Sequence, residues 1–276
     1  MALIKPMVYA PLVREKFQGK VKLVPLATDL GYLSNTTVGE TVTFPKFKAI
    51  TDATEITKGT EMEVESLDQT SSTATIKQIG KAIRVFDMDN LTALGNQIEE
   101  AATQQAVVFA RKLDKDLAKE ALTSPLKSPT AAAKAITATE VNNALGMYGD
   151  DADVEDFAGI VIHSLLQTSF IAMPEFTSVE KTYTNAGNGI VRGGMIGYFR
   201  GIPVYMADHV TYDATTQECI TFIIKKNSLG VMTKRDINIE EERMPKLKAS
   251  DIAGDFIYAV KLIADDGVVV VRKTIV

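Results

Sequence analysis

The longest helical pattern in the sequence runs from Asp89 to Thr123, and it constrains the fold more than any other feature. Its apolar residues recur at steps of three, four or seven positions, which places them on one face of an α-helix: Leu91, Leu94, Ile98, Ala102, Phe109, Leu113 and Leu117. About thirty residues predict a rod of roughly 45 Å. Charged residues at the remaining positions predict a narrow apolar stripe and a solvated remainder: Glu99, Glu100, Arg111, Lys112, Asp114, Lys115, Asp116, Lys119 and Glu120. We expect this helix to lie along another surface.

The composition excludes several classes of protein. A chain of 276 residues with 46% hydrophobic content can bury one substantial core or two modest ones. No apolar run approaches the roughly 18 residues that cross a membrane, and the N-terminus lacks the apolar stretch of a secretory signal. The net charge of −5 argues against a dedicated nucleic-acid binder, although not against a protein that surrounds nucleic acid. The single cysteine, Cys219, excludes an intramolecular disulfide bond.

Residues 1–33 are predicted to form an arm that cannot fold alone. Tyr9, Val13 and Phe17 have the spacing of a short amphipathic helix, which we expect to end at Gly19. The chain then continues in an extended conformation. The sequence favours equally an arm docked on its own core and an arm docked on a neighbouring subunit.

Residues 34–85 are predicted to form a long two-stranded excursion. They are rich in Thr, Ser and Glu and poor in large apolar residues. Two strands of about twenty residues would reach roughly 65 Å. A ribbon of that length cannot offset its own ordering entropy, so it must lie on another surface or stay mobile. Packing on its own subunit is the alternative, but a polar insert directly before a long helix favours contact with another subunit. The residues predicted to make that subunit contact are Val42, Phe44, Phe47, Ile56 and Met62.

The chain after the long helix begins an α/β unit. Thr139 to Tyr148 is predicted to be a short helix with Thr139 as its N-cap. The segment from Phe157 to His163 has the apolar pattern of a buried strand. A helix opening on a serine cap is predicted to follow from Ser164 to Met173.

The last third of the sequence predicts short strands. Two of them surround a turn at Arg200-Gly201. The final two, Ile257 to Ile263 and Val268 to Lys273, are joined by an Asp-Gly pair that predicts a hairpin. Between these pairs lie strands at Ile220 to Lys225 and Val231 to Ile239.

No residue pattern supports a catalytic, cofactor or metal site. The sequence lacks a Walker loop, HExxH, GxSxG and CxxC. The glycines of residues 187–193 have the wrong spacing and context for a dinucleotide site, and the acidic run Asp150 to Asp156 lacks the frame of a calcium loop. Cys219 could be drawn with His163 or His209 as a nucleophilic pair, but its apolar strand pattern favours an inert buried thiol.

The order of these elements resembles the major capsid proteins of tailed bacteriophages, the Hong Kong phage capsid fold. GETVTFPKF and its Thr/Ser-rich return strand are similar to the E-loop of that family, and FDMDNLTALGNQIEEAATQQAVVFARKLDKDL is similar to its spine helix. IVIHSLLQTSF and GMIGYFRGIPVYMAD are similar to the axial domain. VMTKRDINIEEERM and YAVKLIADDGVVVVRK are similar to the closing strands of the peripheral domain. The resemblance covers nearly the whole chain.

The resemblance implies an α+β fold divided into five parts. They are an N-terminal arm (1–33), an extended β E-loop (34–85), a peripheral domain with the spine helix (86–124 and 231–265), an α/β axial domain (125–230) and a closing strand (266–276).

The function implied is structural. Subunits would self-assemble into pentamers and hexamers of an icosahedral head that encloses double-stranded DNA without sequence-specific binding. Assembly would take place in the host cytoplasm and the protein would end in the virion, with no membrane association. The family's type member begins with a scaffolding segment, whereas this chain enters the arm almost at Met1. We therefore expect a separate scaffolding protein, together with portal and head maturation proteins, as partners.

Two alternatives remain open at this stage. An encapsulin-like compartment would use the same fold to enclose a cargo enzyme. A small α/β enzyme would use the loop 187–197 as a lid. Some family members crosslink their shells through lysine, and Lys46, Lys48 and Lys58 lie in the excursion. No acceptor or catalytic acid can be matched, so we predict no crosslinking site.

Overall fold

The computed structural model of the chain contains two main β-sheets with helices packed against both. None of its helices is long and apolar enough to cross a membrane, over the part of the chain that is described. The structure describes residues 6–18, 20–32, 41–47, 55, 59, 61–62, 64, 69–92, 97–149, 153–178 and 194–275.

One helix lies near the N-terminus, and the others lie between residues 87 and 171. The α-helices are α1 (Pro6–Gln18), α2 (Asp87–Thr92), α3 (Gln97–Ala121), α4 (Ala138–Gly146) and α5 (Gln167–Ile171). Short 3₁₀ turns span Val24–Leu26, Val154–Asp156 and Ser164–Leu166. The predicted long helix is confirmed over the 25 residues of α3, while residues 93–96 lie outside the described range.

Most strands are short, and the three longest have 10, 16 and 14 residues. They are β1 (Thr28–Tyr32), β2 (Thr41–Phe47), β3 (Gln69–Thr75), β4 (Lys77–Phe86), β5 (Lys127–Pro129), β6 (Phe157–Ile162), β7 (Phe176–Ser178), β8 (Met195–Phe199), β9 (Ile202–Met206), β10 (Tyr212–Asp213), β11 (Glu218–Cys219), β12 (Thr221–Lys225), β13 (Leu229–Met244), β14 (Ala249–Leu262) and β15 (Val268–Arg272).

A four-stranded sheet has the order β1-β13-β14-β4. The strands β13 and β14 form a long hairpin, and β4 pairs with β14 from Phe86 opposite Ala249 to Lys77 opposite Tyr258. The prediction that the excursion extends to residue 85 is therefore wrong for its last part. Residues 77–86 belong to this sheet because their alternating apolar side chains, such as Ile83 and Val85, face the core.

A seven-stranded sheet has the order β5-β15-β12-β6-β9-β8-β7. Its central strands are buried on both faces. Phe222 and Ile224 contribute to one hydrophobic cluster, whereas Ile223 contributes to another on the opposite face. This double burial explains why β12 and the adjacent β15 read as continuous apolar runs without polar alternation.

The two sheets share one hydrophobic core. Phe109 of α3 and Tyr258 of the four-stranded sheet lie in the same cluster as Val161 and Val270 of the seven-stranded sheet. The helices α4 and α5 cover the other face of the seven-stranded sheet. The predicted α/β unit after the long helix is thus part of one continuous body with the helix itself.

The predicted final hairpin is wrong. The strand β14 lies in the four-stranded sheet, while β15 pairs with β12 and β5 in the seven-stranded sheet. The turn at residues 264–267 therefore carries the chain from one sheet to the other. By contrast, the predicted turn between β8 and β9 is confirmed, with Arg200 at φ 50° and Gly201 at φ 88°, which is the geometry of a two-residue hairpin loop.

The first turns of the two central helices differ from the sequence predictions. The N-cap of α4 is Thr137, which forms a reciprocal capping box with Glu140, and not Thr139. His163 caps the helical segment that follows β6, because its Nδ1 accepts the backbone N–H of Leu165 at 3.1 Å. Ser164 is the first residue of that segment.

The described part of the arm packs on its own core. Tyr9 and Val13 of α1 are buried, as are Leu23 and Leu26 after it. All four belong to the main hydrophobic cluster. Of the two dockings left open by the sequence, residues 6–32 adopt the intramolecular one in this single chain.

Candidate functional site: helix α3 and the surfaces around it

Helix α3 is buried on most of its circumference. The sequence predicted a narrow apolar stripe and a solvated remainder, and the structure shows the reverse. From Glu100 onward, the exposed positions follow one another at steps of three or four along a single line: Glu100, Gln104, Val108, Arg111, Lys115 and Lys119. The helix is enclosed because α1, the four-stranded sheet and a loop of the seven-stranded sheet all contact it.

Asp114 was assigned to the solvated face, but its side chain is fully buried. Its carboxylate accepts the backbone N–H groups of Lys22 and Leu23 at 2.9 and 3.0 Å. The Nε2 atom of His209 lies 3.0 Å from the same carboxylate. One side chain of α3 therefore connects the arm to the loop after β9.

Asp116 was also expected in solvent and is 1% exposed. It accepts hydrogen bonds from the Tyr258 hydroxyl at 2.8 Å and from Lys112 Nζ at 3.0 Å, and Lys77 Nζ lies 3.6 Å away. Burial by itself would raise the pKa of Asp116, but these donors and charges outweigh it and hold the pKa below its usual value. Burial, with the adjacent carboxylate, raises the pKa of Tyr258.

Gln105 is the third buried polar residue of α3. Its Oε1 accepts the Tyr9 hydroxyl at 3.3 Å, and its Nε2 donates to the backbone carbonyl of Lys81 at 2.7 Å. Gly254 lies beside it, where a Cβ would come within 2.6 Å of Gln105 Nε2 and force the neighbouring side chains to shift. Burial raises the pKa of Tyr9 to about 12, so its hydroxyl remains protonated as a donor.

These three residues make α3 the element that connects the rest of the molecule. We call Gln105, Asp114 and Asp116 the polar hub, since each bonds to a different part of the chain. The signal that sequence reasoning overlooked is the small size of the surrounding positions. Buried alanines allow other elements to approach α3 on several sides: Ala101, Ala102, Ala106, Ala110, Ala118 and Ala121.

A third buried acid anchors the chain near its C-terminus. Glu218 is 1% exposed and accepts hydrogen bonds from Arg272 Nε at 2.6 Å and from the backbone N–H of Thr274 at 2.9 Å. Asp213 lies 3.2 Å from the same guanidinium. Burial would raise the pKa of Glu218, but these partners hold it below its usual value.

The residues predicted to contact a neighbouring subunit separate into three groups. Val42 and Phe44 pack against Ala259 in a small cluster on the outer face of the four-stranded sheet. Phe44 has no exposed surface, so the expectation that it faces a neighbour is corrected. Met62 is 70% exposed, and its contact with a neighbouring subunit stays a prediction. Ile56 and the side chain of Phe47 lie outside the described residues.

Part of the outer face of the four-stranded sheet is exposed, with no cover from the described chain. The ribbon of β2 and β3 covers one end, and the other end holds a shallow depression of about 390 Å³. Its floor is made of small residues, including Gly80, Ala82 and Ala253, and Arg235 and Asp255 pair at its rim. A flat segment could approach this part of the sheet closely.

The structure assembles no nucleophilic or metal centre from the candidates considered. Cys219 is buried, as predicted, and burial raises the pKa of its thiol. His209 is held by Asp114. Within the described ranges, no group of three or more His, Cys, Asp and Glu side chains could hold a metal ion.

Comparison with known proteins identifies the family. A family model described as phage capsid protein matches residues 69–271. The chain is 23% identical over 270 residues to the major capsid protein of Staphylococcus phage phiMR11, covering 98% of this chain and 93% of that protein.

Solved structures from phages share the fold. The head structure of Helicobacter pylori bacteriophage KHP40 aligns with a TM-score of 0.64 at 10% identity, over 93% of this chain and 91% of that chain. A structure from Mycobacterium phage Che8 aligns with a TM-score of 0.62 at 16% identity, over 86% and 85% of the two chains. The family is one of structural proteins, which sets aside the enzyme alternative. With an α+β fold of this kind and a family match over most of its length, the chain belongs to the phage capsid proteins.

Proposed function

We propose that this capsid protein assembles into pentamers and hexamers of an icosahedral head enclosing double-stranded DNA, with the excursion of each subunit lying on its neighbour. The observation that carries this proposal is the difference in side-chain exposure between the base of the excursion and its outer part. Its base is fixed by the buried Phe44, whereas its described residues further out, including Met62 and Val64, are 70% and 91% exposed. Exposed apolar side chains on an anchored ribbon favour a contact outside the subunit.

The receiving surface we propose is the exposed part of the outer sheet face. The ribbon of the same subunit already lies on the adjoining part, so a neighbour's ribbon would extend a packing mode that the fold uses. Gly80 has no side chain and Ala82 and Ala253 carry only a methyl group, which permits close approach of a backbone. Each contact is small, and repetition over many subunits would provide the stability of a shell.

The acidic balance is consistent with enclosing DNA without binding it tightly. A net charge of −5 would limit counterion-driven attachment of the genome to the shell. Assembly in the host cytoplasm and partnership with a scaffolding protein, a portal and head maturation proteins belong to the same proposal.

The proposal can be tested by removing the outer excursion. Phe47 and Gln69 are register partners, so residues 48–68 can be replaced by Asn-Gly as a two-residue hairpin turn. We expect this variant to unfold in one cooperative transition and to form no closed shells under electron microscopy. Closed shells of normal size from this variant would overturn the proposed role of the excursion.

The receiving surface is tested separately. Ala253→Arg places a long charged side chain in the depression and should block assembly without altering folding, since Ala253 is exposed. Ala135→Arg is the matched control, because it makes the same substitution at an exposed alanine that does not line the depression. Equal shell yields from the two variants would show that this sheet face does not receive a neighbour.

A further inference from the structure

The exposed line of α3 ends in three cations at a four-residue spacing. Arg111, Lys115 and Lys119 are all exposed, and each is about 6 Å from the next along the helix axis. Charges beside the line are paired within the subunit, because Lys112 binds Asp116 and Lys261 lies 3.2 Å from Glu120.

The three cations themselves have no ion-pair partner in the described part of the chain. No carboxylate among the described residues lies within 4.0 Å of any of them. Like charges at this helical spacing repel one another, so the arrangement weakens the isolated helix slightly. It produces a basic line on a protein whose overall charge is −5.

We propose that this line is a docking surface for an acidic α-helix of a partner protein. Carboxylates spaced four residues apart on such a helix would repeat at the same interval of about 6 Å as the three cations. The surface is narrow, since the flanks of α3 are buried, and a single helix is an occupant of matching width.

The neighbouring positions favour a polypeptide over nucleic acid. Val108 lies one turn before Arg111 on the same line and is 45% exposed. An amphipathic helix can bury Val108 against an apolar side chain while its carboxylates meet the cations, whereas a phosphate backbone offers no apolar partner. Gln104, a further turn away, adds a neutral hydrogen-bonding group. The line thus combines apolar and basic contacts.

The test uses the purified, unassembled full-length chain and a fluorescent helical peptide with Glu at positions i, i+4 and i+8 and Leu one turn beyond. Binding is measured by anisotropy at low and high salt. The variant Arg111→Gln/Lys115→Gln/Lys119→Gln should bind about tenfold more weakly, as expected for three exposed ion pairs. The matched control removes the same charge elsewhere, at exposed positions: Lys20→Gln/Lys226→Gln/Lys246→Gln. It should change binding less than twofold.

Three results would overturn the proposal. The first is equal loss of peptide binding in both triple variants, which would mean that only net charge matters. The second is equally tight binding of a peptide with the same composition and scrambled glutamate spacing. The third is tighter binding of a DNA duplex than of the peptide, lost in the α3 triple variant alone. Val108→Ser adds an independent check, since it should weaken peptide binding and leave duplex binding unchanged.

Discussion

Replacing Asp114 by Ala should release the arm from helix α3. The substitution removes the acceptor for the backbone N–H groups of Lys22 and Leu23, and Leu23 is fully buried, so water cannot replace it there. An unsatisfied buried donor costs about 1 to 3 kcal/mol. His209 loses a partner as well, while the cost of burying a carboxylate disappears. The balance predicts a loss of about 3 kcal/mol in the free energy of unfolding.

Two further variants remove fewer of these hydrogen bonds and should cost less. Asp114→Asn keeps one acceptor oxygen and should cost about 1 to 2 kcal/mol. His209→Ala removes only the partly exposed contact and should cost less than about 1 kcal/mol. Urea unfolding at pH 7 measures the stabilities, and the rate of tryptic cleavage at Lys20 and Lys22 measures arm release. If Asp114→Ala unfolds within 1 kcal/mol of the unmodified protein and resists trypsin equally well, the carboxylate does not hold the arm.

Three further changes probe the core and the buried acids. Phe109→Ala should lower the free energy of unfolding by about 3 to 5 kcal/mol, because Phe109 is buried. Glu100→Ala, on the exposed line, should change it by no more than about 0.5 kcal/mol. Similar losses for both variants would contradict the observed burial of α3. Cys219→Ser should cost about 1 to 2 kcal/mol and leave assembly intact, and loss of assembly by a folded variant would point to a role for the thiol. Because the pKa values of Asp116 and Glu218 are lowered in the folded state, their stabilisation is complete only above the unfolded pKa values, from about pH 5 upward, and is lost as the pH falls through the folded values. Acid titration of stability should therefore be shallower for Asp116→Asn, and an unchanged slope would refute the assignment.

The sequence by itself determined the elements whose cause is local. The helical period predicts α3 because apolar side chains at 3.6-residue spacing can share one buried face only in a helix. The apolar run of β12 predicts a strand, and the residues between β8 and β9 predict a tight turn because Gly201 tolerates positive φ. The order of such elements was sufficient for the resemblance to capsid proteins, which the family match confirms.

Only the tertiary structure decided which elements meet. The Asp-Gly turn after β14 has the same local chemistry whether the next strand folds back or crosses to another sheet, and the crossing occurs because β15 is buried on both faces beside β12. Asp114 and Asp116 read as solvated residues, since no local pattern shows that an arm, a tyrosine and two lysines converge on them. Phe44 alternates correctly for a strand, but alternation does not state whether the apolar face covers its own sheet or a neighbour's. Which strands and side chains pack together depends on residues that are distant in sequence. The burial of the polar hub is therefore visible only in the folded chain.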